Sequence, residues 1–254
     1  MEDQKLTNKI KFIIFAHPRS GSTNLSIVLQ QHPEIRIAGE PFHKNYQKWH
    51  PEEKCYINYI HDTKSLDLQL NELFTAYNGL KILEYQLPVD LNGHILLDAE
   101  IKVIFLYRKN LLKAVISDII ARQSNIWHRT FNSELKPEDF GKLEAVNIEA
   151  LRNRIGVLHG MLGRYLSILQ QRQSDTFFTL SYEDLYTDNV NRNRKKVAEV
   201  FNFLGLDIPE TKKIYVILNP EKGKINSAET YRLIPNIYEV EAALGSDQTG
   251  WLFR

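Results

Sequence analysis

The chain has 254 residues, 43% hydrophobic and 25% charged, enough for one well-buried core of ordinary globular composition. A net charge of +1 excludes a nucleic-acid binder driven by bulk electrostatics, and the single Cys55 excludes both a disulfide framework and a multi-cysteine zinc site. The polar start MEDQKLTNK lacks an apolar signal core, and no apolar run approaches the roughly 18 residues of a membrane span, so a cytoplasmic protein is expected.

Ile10, Phe12, Ile13, Ile14 and Phe15 form an apolar run too short for a helix and rich in β-formers, which predicts a buried strand. His17 and Pro18 stop it, and Gly21 permits a tight turn. From Ser22 onward Leu25, Val28 and Leu29 recur at helical spacing, up to about His32–Pro33. Strand, Gly/Ser loop and helix N-terminus together present backbone N–H groups and a positive helix end to an anion. Arg19 adds a cation whose donors match phosphate or sulfate oxygens, and Ser20, Ser22 and Thr23 add hydroxyls. A plain capped βα turn without ligand is the competing reading, since Ser and Thr commonly cap helices. A nucleotide triphosphatase loop fits poorly, because GxxxxGK[ST] is absent and no Lys follows Gly21.

Ile35 to Ala38 alternates like a short strand, and Gly39 then delivers Glu40 at its carboxyl end, where open α/β sheets gather ligand groups. His43 to Leu70 is polar and aromatic without a clean period, with Tyr46, Trp49, His50, Tyr56, Tyr59 and His61. It reads as short helices and loops, or alternatively as an acceptor-binding rim. Asn71 to Tyr77 reads as a helix ending at Asn78–Gly79, followed by a strand in GLKILEYQL that carries Lys81 at its start. Ile95–Leu97 belongs to a helix or turn before IKVIFLY, Ile101–Tyr107, a second clear buried strand. That strand runs into Arg108, Lys109 and Asn110, then the helix LLKAVISDIIAR, which sets Ser117 two turns along.

A loop holding Gln123 and Trp127 and a polar stretch around Pro137 follow. A long helix is expected from about Leu143 to Gln171, with Leu151, Ile155, Leu158, Leu162, Tyr165, Leu166 and Leu169 as its core stripe. Gly156, Gly160 and Gly163 are expected to permit close packing there. TFFTLSYEDL reads as a strand ending in Tyr182–Glu183–Asp184, and Val197–Leu206 as a helix closed by Gly205. Asn219 to Arg254 shows little regular pattern, with Trp251 and Phe253 pinning the terminus to the body.

PRSGSTNL with HPEIRIAGEPF behind it, FLYRKNLLKAVIS, and SYEDL followed by FNFLGL resemble the sulfotransferase family in three places spread over most of the chain. The motif style resembles bacterial carbohydrate and small-molecule members and tyrosylprotein-type members. The resemblance implies an α/β fold: a single P-loop-like doubly wound domain over residues 1–254, with a central parallel sheet flanked by helices. It implies PAPS (3′-phosphoadenosine 5′-phosphosulfate) as co-substrate, no metal, and in-line sulfuryl transfer to a hydroxyl or amine of a small-molecule or carbohydrate acceptor.

By the same resemblance Arg19, Ser20, Gly21, Ser22, Thr23 and Asn24 grip the 5′-phosphosulfate, and Arg108 with Ser117 binds the 3′-phosphate. Ser117 lies nine positions after Arg108 and eight after Lys109, against a usual separation of eight, so either basic residue is a candidate. Arg108 is preferred, because a guanidinium grips phosphate bidentately. Glu40 is implied as general base and Lys81 as a group approaching the sulfuryl, with Arg19 also catalytic. Tyr182 is implied on the adenine side. A C-terminal loop at about 219–237 is implied to cover the nucleotide through Lys224 or Ser227. A P-loop small-molecule kinase and a bisphosphate-binding non-enzyme are the alternatives.

Overall fold

Two apolar runs become the adjacent central strands of one parallel sheet, and the candidate residues stand at its carboxyl edge. The computed structural model describes residues 10–127, 136–219 and 228–254. The chain begins with β1 (Lys11–Ala16), α1 (Ser22–Leu29), β2 (Ile37–Gly39), the short α2 (Tyr46–Trp49), α3 (Thr63–Ala76) and β3 (Gly79–Leu83). It continues through α4 (Val89–Leu97), β4 (Ile101–Tyr107), α5 (Leu111–Ser124), α6 (Ile148–Leu169), β5 (Phe177–Ser181) and the single turn α7 (Tyr182–Leu185). Helices α8 (Val190–Phe203), α9 (Lys212–Leu218), α10 (Ala228–Tyr231) and α11 (Ile237–Leu244) follow, and Tyr56–Tyr59 and Pro137–Phe140 form short 3-10 turns.

The strand order is β2-β3-β1-β4-β5, and every pairing is parallel. β1 therefore sits where the order reverses, with β3 on one side and β4 on the other. In such sheets ligands bind outside the carboxyl ends at this point. β1 is buried on both faces, which explains its unbroken apolar run. Ile13 and Phe15 join one core, with residues of α3 to α6 and α11. Phe12, Ile14 and Ala16 join the other, with residues of α1, α8 and α9.

Several expectations need correction. The α3 helix starts at Thr63, not Asn71, because Asp62 and Ser65 form a reciprocal capping box. The segment YEDL is a helical turn rather than a strand end, since the Ser181 hydroxyl accepts from the Asp184 N–H and caps it. Helix α6 begins at Ile148, capped by the Asn147 side chain, and α8 begins at Val190, capped by Asn189. Gly156, Gly160 and Gly163 do not mediate packing: a Cβ at any of them would meet nothing within 4 Å. The C-terminal region contains α10 and α11, and its end is pinned as expected. The Trp251 ring lies against Gly245, its carbonyl accepts from Asn110 Nδ2 at 2.7 Å, Phe253 stacks on Tyr238, and Leu252 between them is buried. No helix among the described residues is long and apolar enough to cross a membrane.

Candidate active site

The loop from His17 to Gly21 joins β1 to α1 and is clamped to the neighbouring strand end. His17 Nδ1 lies 2.7 Å from the Pro18 carbonyl oxygen, and its Nε2 accepts from the Arg108 N–H at 2.9 Å. This pattern requires a neutral imidazole with its proton on Nδ1. Burial, with Arg108 adding to it, lowers the His17 pKa to about 4 against the Pro18 hydrogen bond. His17 is thus a structural clamp between the β1 and β4 ends, a role the sequence reading missed by treating it only as a strand stop.

Gly21 is the N-cap of α1 at φ 86°, and no side chain caps the helix start. The hydroxyls of this loop are therefore not spent on capping. A Cβ at Gly21 would stand 2.8 Å from the Tyr186 ring and 3.0 Å from that of Tyr182, so only glycine fits. Ser20 is fully buried, and its Oγ has no hydrogen-bond partner among the described residues. An orphaned hydroxyl beside an uncapped helix N-terminus suits an anion.

Arg19 reaches across to the second candidate element. Its Nε donates to Ser117 Oγ at 3.0 Å and its Nη1 to the Trp127 carbonyl at 2.9 Å. Burial lowers the Arg19 pKa, with the Asp118 charge opposing and Arg108 reinforcing. Arg108 Nη1 donates to the Arg19 carbonyl at 3.4 Å, and its guanidinium stacks on Tyr182 at 4.5 Å. Glu183 lies 3.8 Å from Arg108 Nε, too far for a hydrogen bond, and that buried Nε has no such partner among the described residues. Lys109 points elsewhere, onto Asp184 at 3.0 Å. The Glu183 carboxylate accepts from the N–H groups of Lys109 and Asn110 and so fixes the turn after β4.

The third group lies between β2 and β3. Lys81 Nζ contacts Glu40 Oε1 at 2.7 Å and donates to Thr23 Oγ1 at 3.1 Å, which ties the carboxylate to the start of α1. Gln86 Nε2 donates to Glu40 Oε2 at 3.0 Å, a partner the sequence reading did not single out. Arg19 and Glu40 both adopt the left-handed region, at φ 65° and 63°. For residues other than Gly, Asn or Asp this costs on the order of 1–3 kcal/mol and persists only where the surroundings enforce it. Here the strained positions are a cation and a carboxylate at the same sheet edge.

The structure thus brings Arg19, Ser20, Gly21, Ser22, Thr23, Lys81, Glu40, Arg108, Ser117 and Tyr182 to one sheet edge through three linked clusters. Asn24 sits in the first turn of α1 behind the loop. Tyr182 packs against Gly21 and Arg108. Lys224 and Ser227 lie outside the described residues. Among those described, no group of three or more His, Cys, Asp or Glu side chains is gathered to hold a metal ion.

Residues 9–239 match the sulfotransferase domain family. Among solved structures, the chain is similar to mouse sulfotransferase SULT7A1 complexed with PAP, at 15% identity over 87% of this chain and 69% of that one, TM-score 0.45. It is also similar to the sulfotransferase domain of the Synechococcus PCC 7002 olefin synthase, at 19% identity over 94% and 86%, TM-score 0.40. A third is the sulfotransferase domain from the curacin biosynthetic pathway, at 13% identity over 94% and 98%, TM-score 0.47. No curated protein matches the chain.

Proposed function

The chain belongs to the sulfotransferase family, and from that premise we propose that it moves the sulfuryl group of PAPS to a hydroxyl or amine of a small-molecule or carbohydrate acceptor, as a single domain. The observation that carries this reading is the junction of two anion elements at one sheet edge. Arg19 of the first loop bonds Ser117 of the second element, and Arg108 bonds the Arg19 carbonyl. A nucleotide with a 5′-phosphosulfate and a 3′-phosphate needs two such sites a ribose apart. The orphaned Ser20 Oγ and Arg108 Nε are donors suited to them.

In this reading the uncapped N–H groups of α1, Ser20, Ser22, Thr23 and Arg19 receive the 5′ end, and Arg108 and Ser117 the 3′-phosphate. The S–O bond to the 5′-phosphate breaks as the acceptor oxygen or nitrogen bonds sulfur. Charge then develops on the leaving phosphate, where the preorganised Arg19 and Lys81 stabilise it. Glu40 takes the acceptor's proton. Lys81 holds Glu40 and the Thr23 hydroxyl together, so the base and the leaving-group cradle share one cation. Incubation with radiolabelled PAPS and a panel of hydroxyl acceptors tests the proposal: transfer of label to an acceptor supports it, and failure to bind or consume PAPS opposes it.

A further inference from the structure

Beside Glu40, three aromatic side chains form an open wall. Trp49 stacks on His43 with ring centroids 4.5 Å apart at 20°, and His43 meets Tyr85 edge-on at 6.2 Å and 86°. The wall is fixed to the candidate base. The His43 N–H donates to the Glu40 carbonyl at 2.9 Å, and Tyr85 adjoins Gln86, which bonds the Glu40 carboxylate. Trp49 is 50% and Tyr85 54% exposed, whereas neighbouring Phe42 and Tyr46 are buried. Large exposed rings gathered beside a reactive carboxylate call for a guest.

We propose that His43, Trp49 and Tyr85 form the acceptor subsite and that its guest is a neutral pyranose ring, stacked on the wall with a hydroxyl directed at Glu40. This rests on the sulfotransferase reading above and names the acceptor class for that same site.

Charge narrows the guest first. An anionic acceptor would meet Glu40, and a cationic one would face Lys81, which pairs with Glu40. Ring chemistry narrows it further. The face of an aromatic ring is negative, so the weakly positive C–H groups on one side of a sugar pack against it. Half-open rings leave the guest's far side in water. That suits a hydroxyl-bearing ring and suits a planar polycycle poorly, since a polycycle gains most when both faces are covered.

The test uses the full chain saturated with adenosine 3′,5′-bisphosphate for binding and with PAPS for transfer. The probes are maltose, cellobiose and N,N′-diacetylchitobiose, beside 2-naphthol as the planar competitor. At least one disaccharide is expected to bind and accept sulfate. Trp49→Ala and Tyr85→Ala should each raise its KM about tenfold or more with kcat little changed, while Trp49→Phe recovers most of the loss. Bisphosphate affinity should stay within about twofold in every variant, which also reports intact folding. Bisphosphate binding with no disaccharide bound, transfer to 2-naphthol alone, or an unchanged disaccharide KM in Trp49→Ala would overturn this inference and leave the sulfotransferase reading standing. Absence of bisphosphate binding in the unmodified chain would remove both.

Discussion

Arg19 Nε and Ser117 Oγ meet at 3.0 Å, although the two residues are separated by 98 positions. This bond joins the loop after β1 to the helix after β4 across the point where the sheet order reverses. It orients a guanidinium whose pKa burial lowers against the charge of Asp118. The sheet therefore holds the two proposed halves of the nucleotide site in one piece.

Arg108 and Lys109 are predicted to behave differently. The buried Arg108 faces the loop, while the exposed Lys109 is engaged by Asp184. A hydrogen bond to a charged group contributes about 1.5–3 kcal/mol. Arg108→Ala should therefore weaken adenosine 3′,5′-bisphosphate by about tenfold to a hundredfold in a calorimetric titration. Lys109→Ala should change it by no more than about threefold, as expected for a surface ion pair. Equal losses would mean that both side chains reach the 3′-phosphate.

Glu40→Gln should lower turnover by about a hundredfold or more, because general base assistance contributes on that order. Nucleotide affinity should survive, since Gln keeps an oxygen toward Lys81 and the loop is untouched. Retained turnover in single-turnover assays would take Glu40 out of the mechanism.

His17 and Glu84 should give opposite pH dependences of stability. His17 is 2% exposed with its pKa lowered to about 4 from 6.5, so between these values the unfolded chain binds a proton that the native one refuses. Stability from this residue is full above 6.5 and falls as pH drops to about 4, by about 3 kcal/mol at about 1.4 kcal/mol per unit. Burial raises the Glu84 pKa from 4.5 to about 8, the reverse case, with its contribution full below 4.5 and lost as pH rises toward 8. Relative to the unmodified chain, His17→Gln should therefore gain stability on acidification. Glu84→Gln should gain it on going from about pH 5 to pH 8. Denaturant melts across that range read both, and parallel curves for all three proteins would refute the assignment.

Gly156, Gly160 and Gly163 lie in the middle of α6 and face open space. Each Gly→Ala change should stabilise the chain by roughly 0.5–1 kcal/mol through lower unfolded-state entropy and better helix propensity. Nucleotide binding should not change. A loss of thermal stability would show that something packs on this face in solution.

Much of the sheet was legible because β1 and β4 are buried on both faces and read as continuous apolar runs. The start of α3 was not, since Leu66 and Leu70 carry its buried stripe through an otherwise polar stretch and the signal lay in Asp62 and Ser65. YEDL misled because apolar spacing runs straight on from β5, while the Ser181 cap that turns the chain is a local hydrogen bond. At the site, residue types pointed to an anion-binding loop. The partners did not show: Glu40–Lys81, Glu40–Gln86 and Arg19–Ser117 are contacts between distant segments, set by strand order. His17 could have been suspected from an imidazole placed directly at the end of a buried strand. Its neutral clamp becomes visible only when the β4 end is beside it.

The central claim is that one bisphosphate nucleotide spans the Arg19 loop and the Arg108–Ser117 element. Calorimetric titration of the full chain with adenosine 3′,5′-bisphosphate, beside ATP with magnesium, tests it most directly. The account predicts tight binding of the bisphosphate that is insensitive to magnesium and lost in Arg19→Ala. Binding of ATP with magnesium in preference, or bisphosphate binding unchanged in Arg19→Ala, would contradict it.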